Sequence, residues 1–377
     1  MGSEAMMDRT AQTEIQKLKH FFLLSRPYSY ADNIARAFLV CGLYGAAGDA
    51  TTLLITGTAS TLMWLFLNWL SDWVQKQPGR LLPPLFLVWT PVAMTILLAA
   101  FSGPIALLAL FVYVISILLY PWKSLIVRLG DWGPILRGVT IAAHYWFVIT
   151  LMPPDTAAPP FVVFALACVL FFAHAARNLV GDIRDIRSDV HELPARRGFK
   201  PALRLTRVFV VGAFLAGGSC AVGALLTGGL VPGWWIWVLI PIGVQWTCLE
   251  ILAFAWGRAR PHHVGYVGHR LFVLTFTVME LLIAYDFGVN IGVCVSLCAF
   301  AFATNITYWY VPGKRYPTIV LIDPPLGELR PVRTQSQMLA TARISDARHS
   351  IHADDECTVA ETADATQGYP HVTTPRK

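Results

Sequence analysis

The sequence predicts an all-α, polytopic membrane protein with nine or ten transmembrane helices. Hydrophobic residues make up 55% of the 377-residue chain and charged residues only 14%, whereas soluble domains carry roughly 25% charged residues. Ten apolar runs of about 20 residues follow one another along the chain, and this is the length that a bilayer's hydrocarbon core requires. Polar clusters that contain aspartate end two of these runs. A membrane-embedded bundle with a polar site at one end is therefore predicted.

The predicted spans are separated by short connections. They cover residues 29–48, 52–74, 83–101, 103–121, 133–152, 160–181, 206–228, 233–256, 268–286 and 289–311. Only Ser102-Gly103-Pro104 lies between the third and fourth spans, which predicts a tight hairpin. The ninth and tenth spans are separated only by Asp286-Phe287-Gly288, so a count of nine spans stays open.

The distribution of basic residues predicts the orientation in the membrane. Connections after odd-numbered spans (45–51, 102–104, 152–160, 226–233 and 285–290) contain no Lys or Arg, whereas connections after even-numbered spans are rich in both. By the positive-inside rule, the basic connections and both termini are cytoplasmic when there are ten spans. The net charge of +6 then reflects topology and attraction to anionic headgroups or an anionic substrate, and no nucleic-acid partner is predicted.

Composition divides the chain into three parts. Residues 1–27 are polar and amphipathic and predict a cytoplasmic segment with an interfacial helix. Residues 28–312 form the predicted transmembrane domain. Residues 313–377 are rich in Pro, Thr, Asp, Arg and His and predict a largely disordered cytoplasmic tail. Six of the seven cysteines lie inside the apolar spans, so no disulfide framework is predicted.

The most informative motif ends the sixth span. Asn178, Asp182, Asp185 and Asp189 are 4, 3 and 4 residues apart, so on a helix they share one face. Stacked carboxylates repel one another, and hard divalent ions such as Mg²⁺ prefer oxygen ligands. A weaker copy, Asn68 and Asp72, ends the second span. A solvated run of charge at the membrane boundary is the alternative interpretation.

These motifs resemble those of the UbiA superfamily of intramembrane prenyltransferases. Asn68-x-x-x-Asp72 and Asp182-x-x-Asp185-x-x-x-Asp189 are similar to its two aspartate motifs. Three shorter segments also resemble family patterns: Ser25-Arg26-Pro27, Tyr120-Pro121-Trp122-Lys123 and Leu193-Pro194-Ala195-Arg196-Arg197-Gly198. The resemblance covers roughly residues 20–290.

The resemblance implies a helical bundle around a central cavity in which Mg²⁺ and a polyprenyl diphosphate bind. It implies metal ligation by Asn68, Asp72, Asp182, Asp185 and Asp189, the four aspartates also being catalytic. It implies diphosphate binding by Lys123 and Arg80, with Asn178 and Arg177 as further partners. For Lys123 and Arg80, plain positive-inside anchoring is the alternative. An aromatic or lipid-like acceptor would capture the ionised prenyl group.

The first motif departs from the family pattern. Trp69 and Lys76 stand where the family commonly has aspartates, which leaves one carboxylate in this motif. A terpene cyclase of the same superfamily, in which the substrate's own double bonds capture the cation, is therefore a second hypothesis. A cation-binding transporter or channel is a third. The position of the acidic residues at span ends, rather than at mid-membrane, argues against transport.

Other ionisable residues lie inside predicted spans, where they are costly and often functional. They are His144, His174, Glu250 and Glu280. For His144, interhelical packing is favoured over a role toward an acceptor. For Glu250, a structural hydrogen-bonded carboxyl and a cavity-wall role are both open. Tryptophans near the span ends predict either carbocation stabilisation or an interfacial belt.

The predicted orientation can be tested with a topology reporter. An enzyme that is active only outside the cytoplasm, fused after Lys377, is expected to stay silent because ten spans return the C-terminus to the cytoplasm. Strong reporter activity would show that the last two apolar runs do not cross the membrane as two spans.

Overall fold

The computed structural model describes residues 29–76, 85–120, 127–152, 158–184, 192–226, 233–255 and 261–310. Within these ranges the chain contains eleven α-helices and no strand: α1 (Tyr30–Leu43), α2 (Ala50–Lys76), α3 (Leu85–Phe101), α4 (Pro104–Leu119), α5 (Val127–Thr150), α6 (Pro160–Arg184), α7 (Leu193–Arg197), α8 (Phe199–Leu226), α9 (Trp234–Ala255), α10 (Pro261–Asp286) and α11 (Ile291–Tyr310). Each of the ten predicted spans coincides with one long helix, and the all-α fold class is confirmed. The predicted N-terminal segment 1–27 and the tail 313–377 lie outside the described residues.

Several helices have the length and composition of membrane spans. Four qualify clearly, namely Pro160–Arg184, Phe199–Gly223, Trp235–Phe254 and Val267–Asp286. Shorter apolar helices cover Ala50–Phe66, Pro104–Leu119 and Ile291–Thr307. Large apolar side chains of α4 point outward, and Leu108 is 63% exposed, as expected for a surface that faces lipid. The chain is an integral membrane protein, and the choice between nine and ten spans stays a prediction.

The predicted hairpin between the third and fourth spans is confirmed. Helix α3 ends at Phe101 and α4 begins at Pro104, where proline favours the first turn of a helix. Gly103 between them has φ of +100°, a conformation that glycine adopts without steric cost. A second turn, at Phe287–Asn290, separates α10 from α11, and Gly288 there has φ of +92°.

The first span is shorter than predicted. Helix α1 ends at Leu43, five residues before the predicted boundary, because Gly45 adopts φ of +70° and turns the chain. Asp49 then begins α2: the backbone N–H of Thr51 donates to Asp49 Oδ1 (2.9 Å), and the Thr52 hydroxyl donates to Oδ2. These two bonds lower the pKa of the Asp49 carboxyl below its ordinary value, and they satisfy an unpaired N–H of the first helical turn.

Helix α6 lies at the centre of the bundle and packs against α5, α8 and α10. Its apolar residues from Val162 to Ile183 are almost all buried. The approach of α5 is especially close at Gly138, where an added Cβ would lie 2.7 Å from the Phe171 carbonyl oxygen. Glycine is required at this position because any side chain would push α5 away from α6.

A buried polar cluster, here called the Arg36 network, joins five helices. Its members are Asp32, Asn33 and Arg36 of α1, Ser60 of α2, His144 of α5, His174 and Arg177 of α6, and Glu280 of α10. All three nitrogens of the Arg36 guanidinium are engaged. Nε lies 3.0 Å from Glu280 Oε1, and Nη2 lies 3.2 Å from Asp32 Oδ2. Nη1 donates to Asn33 Oδ1 at 3.0 Å.

Two histidines extend this network to α2, α5 and α6. His144 Nδ1 lies 3.2 Å from Arg36 Nη1, and because a guanidinium only donates, this nitrogen accepts. His144 Nε2 therefore carries the proton and donates to Ser60 Oγ at 2.9 Å. His174 lies between two guanidiniums, 3.2 Å from Arg36 Nη2 and 3.3 Å from Arg177 Nη1. The network thus holds the helix positions by charge as well as by packing.

Removal of the central cation should destabilise the bundle. Arg36→Met leaves the buried Glu280 carboxylate without its ion-pair partner and removes one of the two guanidiniums beside Asp32, which is expected to cost about 3–5 kcal/mol. Thermal unfolding of the purified protein in detergent measures this loss. The double variant Arg36→Met, Glu280→Gln should recover much of the stability, because it removes the uncompensated carboxylate and keeps the ion pair between Asp32 and Arg177.

Arg207→Met serves as the matched control for this prediction. Arg207 also pairs with a carboxylate, through bonds of 2.9 and 2.6 Å to Glu250, but the pair is 33% and 44% exposed. Exposed pairs contribute about 0–1 kcal/mol. Equal losses in Arg36→Met and Arg207→Met would contradict the central role of Arg36.

Candidate functional site

The second predicted motif is partly visible at the end of α6. Asn178 and Asp182 are 5% and 3% exposed, and Asn178 Nδ2 donates to Asp182 Oδ2 at 2.8 Å. The two residues therefore share one helical face, as their spacing predicts. Helix α6 ends at Arg184, and Asp185 and Asp189 lie outside the described residues.

Tyr120 fixes the orientation of the Asn178 amide. Its hydroxyl donates to Asn178 Oδ1 at 2.7 Å, so the amide oxygen accepts from the tyrosine while the amide nitrogen donates to Asp182. The resulting chain, Tyr120–Asn178–Asp182, connects the end of α4 to the acidic face of α6. Tyr120 begins the segment whose Lys123 was predicted to bind diphosphate, and Lys123 lies outside the described residues.

The first predicted motif lies on α2. Asn68 is 2% exposed and stands four residues after Trp64 and four before Asp72, so the three share one helical face. The side chain of Asp72 is not among those described, nor are those of Trp69 and Lys76, and Arg80 lies beyond the described end of α2. The side-chain oxygen of a buried asparagine at this position is compatible with metal ligation.

Arg137 is a site residue that sequence reasoning missed. Its guanidinium carbon lies 4.4 Å from the centroid of the Trp64 ring and 5.5 Å from that of Tyr120. The residue is only 5% exposed. It therefore bridges the helix of the first motif and the tyrosine that holds the second. Its position inside the fifth predicted span, 133–152, was the available signal in the sequence.

The surroundings of Arg137 do not compensate its burial. Cation–π contacts contribute about 0.5–2 kcal/mol, whereas removing an ion from water costs several kcal/mol. Among the described residues, this guanidinium contacts the two aromatic rings and forms no ion pair with a carboxylate. Arg177 lies close enough to repel its charge, and Asp32 lies close enough to attract it.

Arg177 itself belongs to the Arg36 network. Its Nη1 lies 3.2 Å from Asp32 Oδ2 and 3.3 Å from His174 Nδ1. It is 4% exposed. The structure therefore gives Arg177 a structural partner, and its predicted contribution to diphosphate binding stays a prediction.

Three residues of the Arg36 network are of the types that bind metal ions, but the charges around them disfavour a bound metal ion. Ligand atoms of Asp32, His174 and Glu280 lie within 4.8 Å of one another. Arg36 and Arg177 already supply two positive charges to these two carboxylates, so a further cation would be repelled. Asn68, Asn178 and Asp182, the described members of the two predicted motifs, carry amide and carboxylate oxygens, which are the ligand type that Mg²⁺ prefers.

The other predicted intramembrane residues have structural partners. His144 is fully buried between Arg36 and Ser60, as favoured by the packing interpretation. Glu250 forms a two-bond ion pair with Arg207 between α8 and α9. Trp132 and Trp146 are 58% and 39% exposed, which fits an interfacial belt. Trp64 is buried beside Arg137 and is the described tryptophan that belongs to the site.

Comparison with known proteins finds solved structures that resemble this chain. No family model matches the sequence, and no curated protein matches it. A solved structure of a digeranylgeranylglyceryl phosphate synthase resembles the chain with a TM-score of 0.50 and 17% identity, over 72% of this chain and 99% of that one. A UbiA homolog from Aeropyrum pernix K1 gives a TM-score of 0.47 and 17% identity, over 71% and 98%. The chain therefore shares its fold with the digeranylgeranylglyceryl phosphate synthase.

Proposed function

We propose that this protein is a Mg²⁺-dependent prenyltransferase that ionises a polyprenyl diphosphate at one end of the bundle and transfers the prenyl group to an aromatic or lipid-like acceptor. The observation that carries the proposal is the hydrogen-bonded Tyr120–Asn178–Asp182 chain, in which Asn178 and Asp182 are buried. It lies at a helix end where carboxylates are expected to meet a metal, in a fold shared with a digeranylgeranylglyceryl phosphate synthase. The predicted location of this end is the cytoplasmic side.

The proposed metal ligands come from both motifs. Asp182 and Asn68 are the described members, and Asp72, Asp185 and Asp189 complete the set predicted from the sequence. Bound Mg²⁺ would neutralise the diphosphate and so stabilise it as a leaving group. The protein's own contribution is orientation, since Tyr120 and Asn178 hold the Asp182 carboxylate in one position before substrate binds. Lys123 and Arg80 are proposed to supply further positive charge.

The proposed reaction begins with the bond between the allylic carbon and the diphosphate oxygen. The bond breaks with its electron pair staying on oxygen, and the carbon becomes a cation. A nucleophilic carbon or oxygen of the acceptor then forms the new bond, and the acceptor releases a proton. Charge stabilisation is effective here because the described site residues are buried, and electrostatic interactions strengthen when water is excluded.

Loss of the Asp182 charge should nearly abolish turnover. Asp182→Asn keeps the shape and removes the charge, so about 3–4 kcal/mol of transition-state stabilisation should be lost, which lowers turnover roughly 10²–10³-fold. Release of diphosphate from geranylgeranyl diphosphate in detergent or vesicles measures the effect. Removal of Mg²⁺ by a chelator should have an effect at least as large.

Glu250→Gln is the matched control for Asp182→Asn. It makes the same chemical change at a half-exposed carboxylate paired with Arg207, away from the site, and should leave turnover within about twofold because exposed ion pairs contribute little. Full activity of Asp182→Asn, with Mg²⁺ chelated as well, would refute the diphosphate-ionising mechanism.

Tyr120→Phe tests the orientation of Asp182. The ring remains beside Arg137, but the bond to Asn178 is lost, and residues that orient metal ligands typically affect metal affinity 10–100-fold. We expect about tenfold more Mg²⁺ to be required for half-maximal activity. Tyr145→Phe is the control, since its hydroxyl donates to the Val163 carbonyl oxygen at 3.1 Å away from the site. An identical Mg²⁺ requirement in both variants would remove Tyr120 from this role.

Product analysis separates transferase from cyclase. Incubation with farnesyl or geranylgeranyl diphosphate in the absence of an acceptor should give little turnover if an acceptor must capture the cation. A cyclic hydrocarbon or terpene alcohol formed under these conditions would instead identify the terpene cyclase. The transporter hypothesis predicts no diphosphate release with any prenyl substrate.

A further inference from the structure

Two hydrogen-bond donors at the site are buried without an acceptor among the described residues. The guanidinium of Arg137, 5% exposed, lies against the Trp64 and Tyr120 rings. The indole Nε1 of Trp64, a residue 4% exposed, has no hydrogen-bond partner. Buried donors are normally paired, and a buried cation normally has an anion beside it. Both groups can only donate, so the missing partner is rich in acceptor oxygens and carries negative charge.

The carboxylates that the structure describes nearby do not supply that partner. Asp32 lies 3.2 Å from both Arg36 Nη2 and Arg177 Nη1, and Glu280 lies 3.0 Å from Arg36 Nε. Asp182 accepts from Asn178. The Arg36 network therefore pairs two carboxylates with two guanidiniums, whereas Arg137 forms no ion pair with any carboxylate of the described residues.

The two donors lie beside both acidic motifs. They lie further from the end of the bundle than the motifs do. Trp64 precedes Asn68 by four residues on α2, or about 6 Å of helix, on the side away from the Lys76 end. Tyr120, whose ring centroid lies 5.5 Å from the guanidinium carbon, holds Asn178 and through it Asp182. The membrane-facing side of an anion bound by metal at the motifs would thus contact Arg137.

We propose that Arg137 and the Trp64 Nε1–H bind the phosphate group to which the prenyl chain is attached. This inference rests on the proposed function and names the residues that receive the departing oxygen. When the allylic C–O bond breaks, the electron pair stays on that oxygen and its negative charge increases. The guanidinium neutralises this charge without moving, because the ring faces of Trp64 and Tyr120 already hold it in place.

Binding of inorganic pyrophosphate with Mg²⁺, measured by isothermal titration calorimetry on the full-length protein in detergent, tests this role separately from turnover. Arg137→Leu should raise Kd at least tenfold, and Arg137→Lys should raise it less because it keeps a charge but lacks the planar group that stacks on the rings. Trp64→Phe, which keeps a ring face and removes the N–H, should raise Kd several-fold. Arg207→Leu, which removes a guanidinium outside the site, should leave Kd unchanged.

The stability of the ligand-free protein provides a second measurement. An unpaired buried cation is costly, so Arg137→Leu should leave the melting temperature unchanged or raise it, unlike Arg36→Met. Pyrophosphate with Mg²⁺ should raise the melting temperature of the wild type and have a much smaller effect on Arg137→Leu. A marked fall in the melting temperature of ligand-free Arg137→Leu would show that Arg137 is a structural cation and would overturn the proposal.

Different outcomes distinguish this proposal from the proposed function. If wild-type protein binds no pyrophosphate in the presence of Mg²⁺, the proposed function itself fails. If wild type binds pyrophosphate and Arg137→Leu binds it with the same Kd, the assignment of Arg137 is wrong while the proposed function stands.

Discussion

The charge on Arg36 is the constraint on which the rest of the bundle depends. One guanidinium contacts Asp32 and Asn33 on its own helix, His144 on α5, His174 on α6 and Glu280 on α10. Apolar helix surfaces in a membrane have little preference for one rotation or depth, since lipid tails are as apolar as leucine. A fully buried ion cluster has such a preference, because each shift of a helix separates a charge from its partner. The four helices that meet at Arg36, and α2 through the hydrogen bond between His144 and Ser60, are thereby fixed in rotation and depth.

The geometry of the candidate site follows from this arrangement. Arg177 ties α6 to Asp32 of α1, and the next residue along α6 is Asn178, which holds Asp182. The rotation of α6 that satisfies the ion pair therefore also sets the direction of the acidic face. On α5, Gly138 allows a close approach to α6, and the neighbouring Arg137 contacts the Trp64 and Tyr120 rings. Structural and proposed catalytic groups are thus adjacent residues on the same helices.

Local patterns predicted the helices, the α3–α4 hairpin and the shared face of Asn178 and Asp182, because each depends on residues close in sequence. The Arg36 network was not predictable in the same way. Arg36 and Glu280 are separated by most of the transmembrane domain, and only the packing of helices brings them together. The role of Arg137 was not predicted, because a basic residue near a span end satisfies the positive-inside rule whether its side chain points to solvent or into the core. The early end of α1 depended on the backbone conformation of Gly45, which composition does not reveal.

The stacking of Arg137 on Trp64 has a consequence for how this sequence varies among its relatives. The Trp64 ring contacts the guanidinium through its face, and this contact stabilises the burial of the tryptophan at a polar site. A relative that replaced Arg137 by an aliphatic residue would release the constraint on Trp64, so the two positions should change together. Gly138 would be expected to vary independently of this pair, because its constraint comes from the backbone of α6. Covariation between positions 64 and 137 would therefore mark the lineage in which this arrangement arose.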